Sequence, residues 1–241
     1  MGKVTNISWT DSTLNLAWGC KKISPGCAQC YMFRLSKQFG KDPDNVSILV
    51  DNYEKFKKKI KTMGKRIFIN SMSDTFHSDI PDSLKTQWIG WMGLHPEHQF
   101  QLLTKRANEM AIFCNNFIKE YGDLPNNVWF GVSIESPEYL WRAHSVRGFP
   151  GPNIRFISFE PLLSDIFANT DFDLNGIDWV IVGGESDYKN PRIMNPLWAL
   201  NILDQCKKYE IPFFYKQQGG FGGDGAGGCL LLGKEYKEFP L

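Results

Sequence analysis

The sequence predicts an α/β fold, a partial, TIM-like (β/α) barrel of parallel strands, on three observations. Short apolar runs alternate with helical stretches along the chain, which is the pattern of a parallel sheet covered by helices. About seven such runs fit within the 241 residues, the number and length of a closed or partly closed barrel. Nearly every run delivers a polar side chain just past its last apolar residue. In a parallel sheet those positions share the carboxyl-end rim, where active sites are built.

In chain order, residues 1–13 are polar apart from landmarks such as Ile7 and Trp9 and read as a cap or short strand. Leu14 to Trp18 alternates as a strand, and Gly19 turns the chain into a loop holding Cys20, Cys27 and Cys30. Tyr31 to Phe39 reads as a helix ending at Gly40. Tyr53, Phe56, Ile60 and Met63 recur on one helical face, so Lys55, Lys57, Lys58, Lys59 and Lys61 fill its solvent side. Arg66–Asn70 is the next strand, followed by Ser71-Met72-Ser73-Asp74 and a helix from about Pro81. Phe100–Leu103 precedes a helix from about Asn108 to Tyr121. Val128–Val132, Ile154–Phe159, Trp179–Val182 and Pro212–Tyr215 complete the strands. The polar rim then comprises Asn70, Asp74, Thr104, Lys105, Ser133, Glu135, Glu160, Glu185, Lys216 and Gln217.

Neither a linker nor a repeat divides the chain, so residues 1–241 are expected to form one domain. The composition is globular, with 42% hydrophobic and 22% charged residues, and the formal net charge of +1 neither requires nor excludes a nucleic-acid partner. No run reaches the length of a membrane span and the amino terminus lacks a signal pattern, so the expected location is the cytoplasm, with no membrane partner. Six cysteines in a chain of this length do not make a disulfide framework.

Three of those cysteines carry the chemistry. Cys20, Cys27 and Cys30 fall within eleven residues, in a polar loop bent by Pro25-Gly26. Three thiolates on one loop can hold three corners of an iron–sulfur cube and leave the fourth iron open. They can also hold zinc with a fourth ligand from elsewhere, although no cysteine or histidine follows at finger spacing. His77, His95, His98 and His144 are scattered and read as ordinary polar residues. Cys114, Cys206 and Cys229 read as small packing residues.

Two further stretches fit a ligand or a turn equally well. Val180-Ile181-Val182-Gly183-Gly184-Glu185 is a strand breaking into glycines that permit close approach to the backbone, with an acid to accept from an amine or hydroxyl. Ser71-Met72-Ser73-Asp74 is a polar cradle or a helix-capping loop. The glycines at about 219–228 match a dinucleotide fingerprint only formally. They lack its strand-to-helix context and read as a flexible loop over the rim. Trp141, Arg142 and Arg147, or Lys105 and Arg106, are the cations and aromatic expected to meet a nucleic acid.

With the cysteine loop, the rim and Gly-Gly-Glu identified, the chain resembles the radical S-adenosylmethionine superfamily. More narrowly it resembles a phage-associated family of radical-SAM-like proteins with a three-cysteine motif. The resemblance is carried by Trp18-Gly19-Cys20 through Cys30-Tyr31, Asn70–Asp74, Gln101–Arg106, Phe159–Leu163, Trp179–Ser186 and Phe214–Gln217. It implies a radical-SAM-type barrel with a 4Fe–4S cluster held by Cys20, Cys27 and Cys30, whose open iron chelates S-adenosylmethionine. A reductase or other one-electron donor then drives cleavage to a 5′-deoxyadenosyl radical that abstracts hydrogen from substrate. It further implies that Ser71, Ser73 and Asp74 meet the methionine amino group. Ser133, Glu135 and Glu160 would serve the ribose and carboxylate, and Gly183, Gly184 and Glu185 would lie by the adenine. A nucleotide or nucleic-acid base is the implied substrate, for modification or repair. Three departures stand out: six residues rather than three between the first two cysteines, Gln29 in place of an aromatic before the third, and Gly-Gly-Glu after a late strand. The alternative is a non-enzymatic binding module for nucleic acid, stabilised by zinc or a structural cluster.

Overall fold

The computed structural model describes residues 5–148 and 150–240, so residues 1–4 of the expected amino-terminal cap lie outside the described residues. The elements run β1 (Ser12–Leu14), β2 (Ala17–Trp18), α1 (Tyr31–Gln38), β3 (Ser47–Ile48), α2 (Val50–Lys59), β4 (Arg66–Ile69), α3 (Asp82–Gly93) and β5 (Gln99–Thr104). They continue α4 (Ala107–Tyr121), β6 (Val128–Ser133), α5 (Trp141–Arg147), β7 (Arg155–Phe159), β8 (Trp179–Gly183), β9 (Ser186–Asp187), α6 (Pro196–Lys208), β10 (Phe213–Gln217) and β11 (Gly220–Phe221). Among the described residues seven strands form one parallel sheet in the order β1-β4-β5-β6-β7-β8-β10. Neighbours follow chain order, and β1 and β10 remain as edges. The sheet is therefore an α/β half-barrel, curled but open.

Alternation along the strands splits the apolar residues between two faces. Outward residues such as Ile67, Leu102, Phe130, Ile157, Val180 and Phe213 pack under the helices, with Phe56, Trp88, Phe113 and Ile202. Inward residues Phe68, Trp129, Phe156, Trp179 and Phe214 form a second, aromatic layer that closes around Trp9, with Ile7 and Phe239 at its margin. The Trp9 ring lies 4.6 Å from Phe68 and 6.2 Å from Trp179, centroid to centroid. Gly131 is required here, because a Cβ on it would run into the Phe156 ring. Trp9, expected in a cap, thus plugs the lower half of the barrel and leaves the upper half, toward the strand carboxyl ends, as a cavity.

The first strand differs from expectation. Leu14–Trp18 is not one strand: Ser12–Leu14 joins the sheet, while Ala17–Trp18 pairs antiparallel with Ser47–Ile48. Asn70 causes the break. Its amide oxygen accepts from Leu16 N at 2.7 Å and Ala17 N at 3.0 Å, taking donors that would otherwise continue the ladder. Its own backbone adopts φ 61°, which asparagine tolerates better than most residues. The other strands and helices start and end within a few residues of their expected bounds. Tyr53, Phe56 and Ile60 are buried beneath the lysine-rich α2 as the periodicity requires.

Candidate functional site

The loop after β2 presents all three cysteines to one cavity of about 560 Å³ at the carboxyl-end rim. Gly19 has φ 101° and no room for a side chain, since a Cβ would strike the Asn45 carbonyl. Cys20 N donates to Pro43 O at 2.8 Å, and Ser73 Oγ donates to Gly19 O at 2.7 Å. A short 3-10 turn at Pro25–Cys27 follows, with Cys30 at the cap of α1.

The six residues between Cys20 and Cys27 have a physical role: they present Gly26 to Glu135. Gly26 N donates to Glu135 Oε1 at 3.3 Å, and a Cβ on Gly26 would press on that carboxylate at 3.1 Å. Glu135 is completely buried and its other oxygen accepts from Arg142 Nη1 at 2.8 Å. Arg142 also donates to Ser133 O at 2.8 Å and stacks on Tyr139. The cysteine loop is thus braced from beneath by a buried ion pair.

A second brace comes from Arg106. Its Nη2 donates to Lys21 O at 3.1 Å and lies 3.9 Å from Cys20 Sγ. Asp74 lies beside it, with its carboxylate taken by Thr104 Oγ1 at 2.7 and 2.8 Å and by Phe76 N at 3.0 Å. Burial first, then the Asp74 charge, push the Cys20 thiol up to about 12; Cys27 and Cys30 add to this, and Arg106 opposes it. Burial also raises Cys30. Three thiols that act on one another in a semi-buried site favour a bound cation, which replaces their protons. Among the described residues, no three His, Cys, Asp or Glu side chains are grouped as a site for a single metal ion.

The far wall of the cavity is charged. Lys216 Nζ bridges Glu160 Oε1 at 2.5 Å and Asp224 Oδ1 at 2.8 Å. Burial alone would lower the Lys216 pKa, but the two carboxylates outweigh it and raise the value above the ordinary lysine range. Glu185 is buried and forms a fork with Arg192, whose Nε donates at 2.9 Å and whose Nη2 donates to the other carboxylate oxygen. Of the residues singled out from sequence, Cys20, Cys27, Cys30, Ser71, Ser73, Asp74, Ser133, Glu160, Gly184 and Glu185 line the cavity together. Glu135 and Gly183 do not: Glu135 lies behind the cysteine loop, and a Cβ on Gly183 would come within 3.2 Å of the Glu160 carboxyl. Gly184 makes its close approach to the Gln218 backbone.

The residues expected to meet a nucleic acid are mostly committed elsewhere. Arg142 is buried on Glu135, Arg106 is turned onto the cysteine loop, and Arg147 pairs with Asp173. Each found a carboxylate or carbonyl that sequence order alone does not reveal. At the cavity mouth Lys105, also among the expected residues, is joined by Arg34 and Tyr188, with the Arg34 guanidinium 4.7 Å over the Tyr188 ring. The glycine-rich segment is folded on itself: Gln218 N donates to Gly228 O, Gly219 N to Ala226 O and Gly225 N to Gln217 Oε1. Its Gly223 and Asp224 edge the cavity. Cys114 and Cys206 are buried as expected, whereas Cys229 is only half-buried, 3.6 Å from Glu235 Oε1. Tyr31, which adjoins the third cysteine of the motif, also lines the cavity, as do Ser158 and Trp9, which lay in no motif by which to find them.

A family model described as "Protein of unknown function (DUF5131)" matches residues 4–240. The chain belongs to this family. No curated protein matches it. Among solved structures it is similar to variants of spore photoproduct lyase. A cysteine-to-serine variant is 16% identical, with TM-score 0.44, covering 72% of this chain and 55% of that one. A doubly substituted variant with bound AdoMet and dinucleoside spore photoproduct is 16% identical, with TM-score 0.45, covering 83% and 62%. The chain therefore spans less than two thirds of the length of these structures. Among the described residues no helix is long and apolar enough to cross a membrane.

Proposed function

We propose that the protein is a radical S-adenosylmethionine enzyme that acts on a nucleotide or nucleic-acid base, with Cys20, Cys27 and Cys30 holding a 4Fe–4S cluster. The observation that carries this reading is the convergence of three cysteines from one braced loop with the polar strand ends on a single cavity. When bound, such a cluster with one open iron supplies reductive cleavage of S-adenosylmethionine, with the electron from a reductase or other donor. The protein's own residues bind, orient and shield. Glu135 and Arg106 fix the cysteine loop, and Asp74 fixes the turn after β4. Ser71, Ser73 and Ser133 offer hydroxyls at the cavity face, beside the Glu160–Lys216–Asp224 wall. That wall, with Glu185, Arg192 and Gly184, suits a zwitterionic cofactor tail and its nucleoside. The mouth cations suit a phosphodiester substrate.

Anaerobic reconstitution tests the reading. The protein should take up about four irons per chain and release 5′-deoxyadenosine from S-adenosylmethionine under reduction, and Cys27→Ala should lose the iron. Colourless protein holding one tightly bound zinc would instead establish the metal-stabilised binding module.

A further inference from the structure

The fold treats its two buried arginines differently. Among the described residues Arg142 and Arg106 are the arginines withdrawn from solvent, at 1% and 7% exposure. Arg142 has the Glu135 carboxylate at 2.8 Å. Arg106 has no carboxylate within ion-pair distance among the described residues. Its Nη2 donates to Lys21 O at 3.1 Å and lies 3.9 Å from Cys20 Sγ, and its Nε has no hydrogen-bond partner. Asp74 beside it gives its oxygens to Thr104 Oγ1 and Phe76 N instead. A permanently charged guanidinium taken out of water without an anion destabilises a fold, and buried charges are ordinarily paired. The group that Nη2 does face is a cysteine sulfur, which becomes a thiolate when it binds metal.

We infer that the counter-charge of Arg106 is the metal–thiolate centre itself, and that Arg106 is a positioning residue that raises the reduction potential of the cluster. The inference rests on the proposed function and names what governs the entry of the electron into that site. The step concerned is the transfer of one electron from the reductase or other donor to the cluster, with no bond made or broken in the protein. Three thiolates around an iron–sulfur core leave the centre anionic, and the entering electron adds a further negative charge. A fixed cation close to one sulfur therefore stabilises the reduced form more than the oxidised form. Burial of Arg106 protects this interaction from the screening that weakens surface pairs. The Asp74 charge acts on Cys20 in the opposite sense, so the two residues set the potential from opposing sides.

The test uses the purified chain, reconstituted anaerobically with iron and sulfide and without S-adenosylmethionine. The cluster is titrated with redox dyes and followed by electron paramagnetic resonance. Arg106→Gln keeps a donor for Lys21 O and drops the charge. It should lower the ratio of reduced to oxidised cluster at a fixed potential about three- to thirtyfold, a fall in midpoint of about 30–90 mV at 59 mV per tenfold. Arg106→Lys keeps the charge and should hold that ratio within about twofold of wild type, while Asp74→Asn should move the midpoint upward. With the metal chelated away, Arg106→Gln should melt at the wild-type temperature or above it, because an uncompensated charge has been removed. An unchanged midpoint in iron-loaded Arg106→Gln would overturn the inference. An equal fall in Arg106→Lys would also overturn it, by making the guanidinium a geometric brace alone. A lower melting temperature in the metal-free variant would show that the charge already has its partner within the fold. If Arg106→Gln loses its iron, retention by Arg106→Lys supports the charge and loss by both overturns it. Weaker S-adenosylmethionine binding with an unchanged midpoint would give the guanidinium to the cofactor's carboxylate. Failure of these outcomes while wild-type protein takes up iron and releases 5′-deoxyadenosine removes only the role of Arg106. A wild-type protein that holds no cluster removes the proposed function itself.

Discussion

Replacing Glu135 by alanine removes one member of a fully buried ion pair and the acceptor for Gly26 N at once. The Arg142 guanidinium, only 1% exposed, is then left with Ser133 O and the Tyr139 ring face and no anion. Breaking a buried pair from one side costs about 3–5 kcal/mol, because the surviving charge stays desolvated. For a chain of this size that lowers the melting temperature by about 6–20 °C. Changing both partners to leucine removes the stranded charge and should recover most of the loss. Gly26 N remains without an acceptor in the double variant, so its stability should recover while iron retention after reconstitution stays low. Thermal and urea denaturation of the three proteins, alongside iron content, make the measurement. A Glu135→Ala protein within about 0.5 kcal/mol of wild type would refute the strut. A double variant that retains iron normally would refute its connection to the cysteine loop.

Other outcomes follow from the same geometry. Asn70→Ala strips the acceptor from Leu16 N and Ala17 N and should cost about 2–6 kcal/mol in urea unfolding, at roughly 1–3 kcal/mol for each stranded donor. Gly184→Ala drives a Cβ into the Gln218 backbone and should cost about 1–3 kcal/mol with no side chain able to yield. His77 is buried, and burial followed by the Arg106 charge lowers its pKa. The unfolded chain therefore takes the proton first, so the contribution of neutral His77 is complete above about pH 6.5 and is lost as pH falls from there toward the lowered folded value. His77→Asn keeps an acceptor for Asp79 N and should flatten the fall in unfolding free energy between about pH 7.5 and 5. An unchanged slope would assign that limb to other groups.

Much of the architecture was legible in the residues themselves. Runs such as Trp179–Val182 and Val128–Val132 are apolar throughout because a parallel sheet beneath helices is buried on both faces. Cys20, Cys27 and Cys30 announce themselves by clustering in a polar turn, a local property that survives any fold. The rim was legible too, since Asp74, Ser133, Glu160 and Glu185 stand just past strand ends that a parallel sheet must gather on one side.

Partnership was not legible. Glu160 and Lys216 are 56 residues apart and Gly26 and Glu135 are 109 apart, so their pairing depends on which strands are neighbours and in what register. The same dependence took Arg142 and Arg106 out of the expected nucleic-acid surface and made them internal braces. It also set Trp9, on a segment without regular structure, at the centre of the barrel. By itself the sequence determined a parallel half-barrel and a three-thiol loop at its rim, because periodicity and clustering are short-range properties of the chain. Only the tertiary structure decided which charges are already neutralised and which buried one, that of Arg106, still lacks a carboxylate. Desolvation and hydrogen bonding act between residues that the chain brings together only by folding.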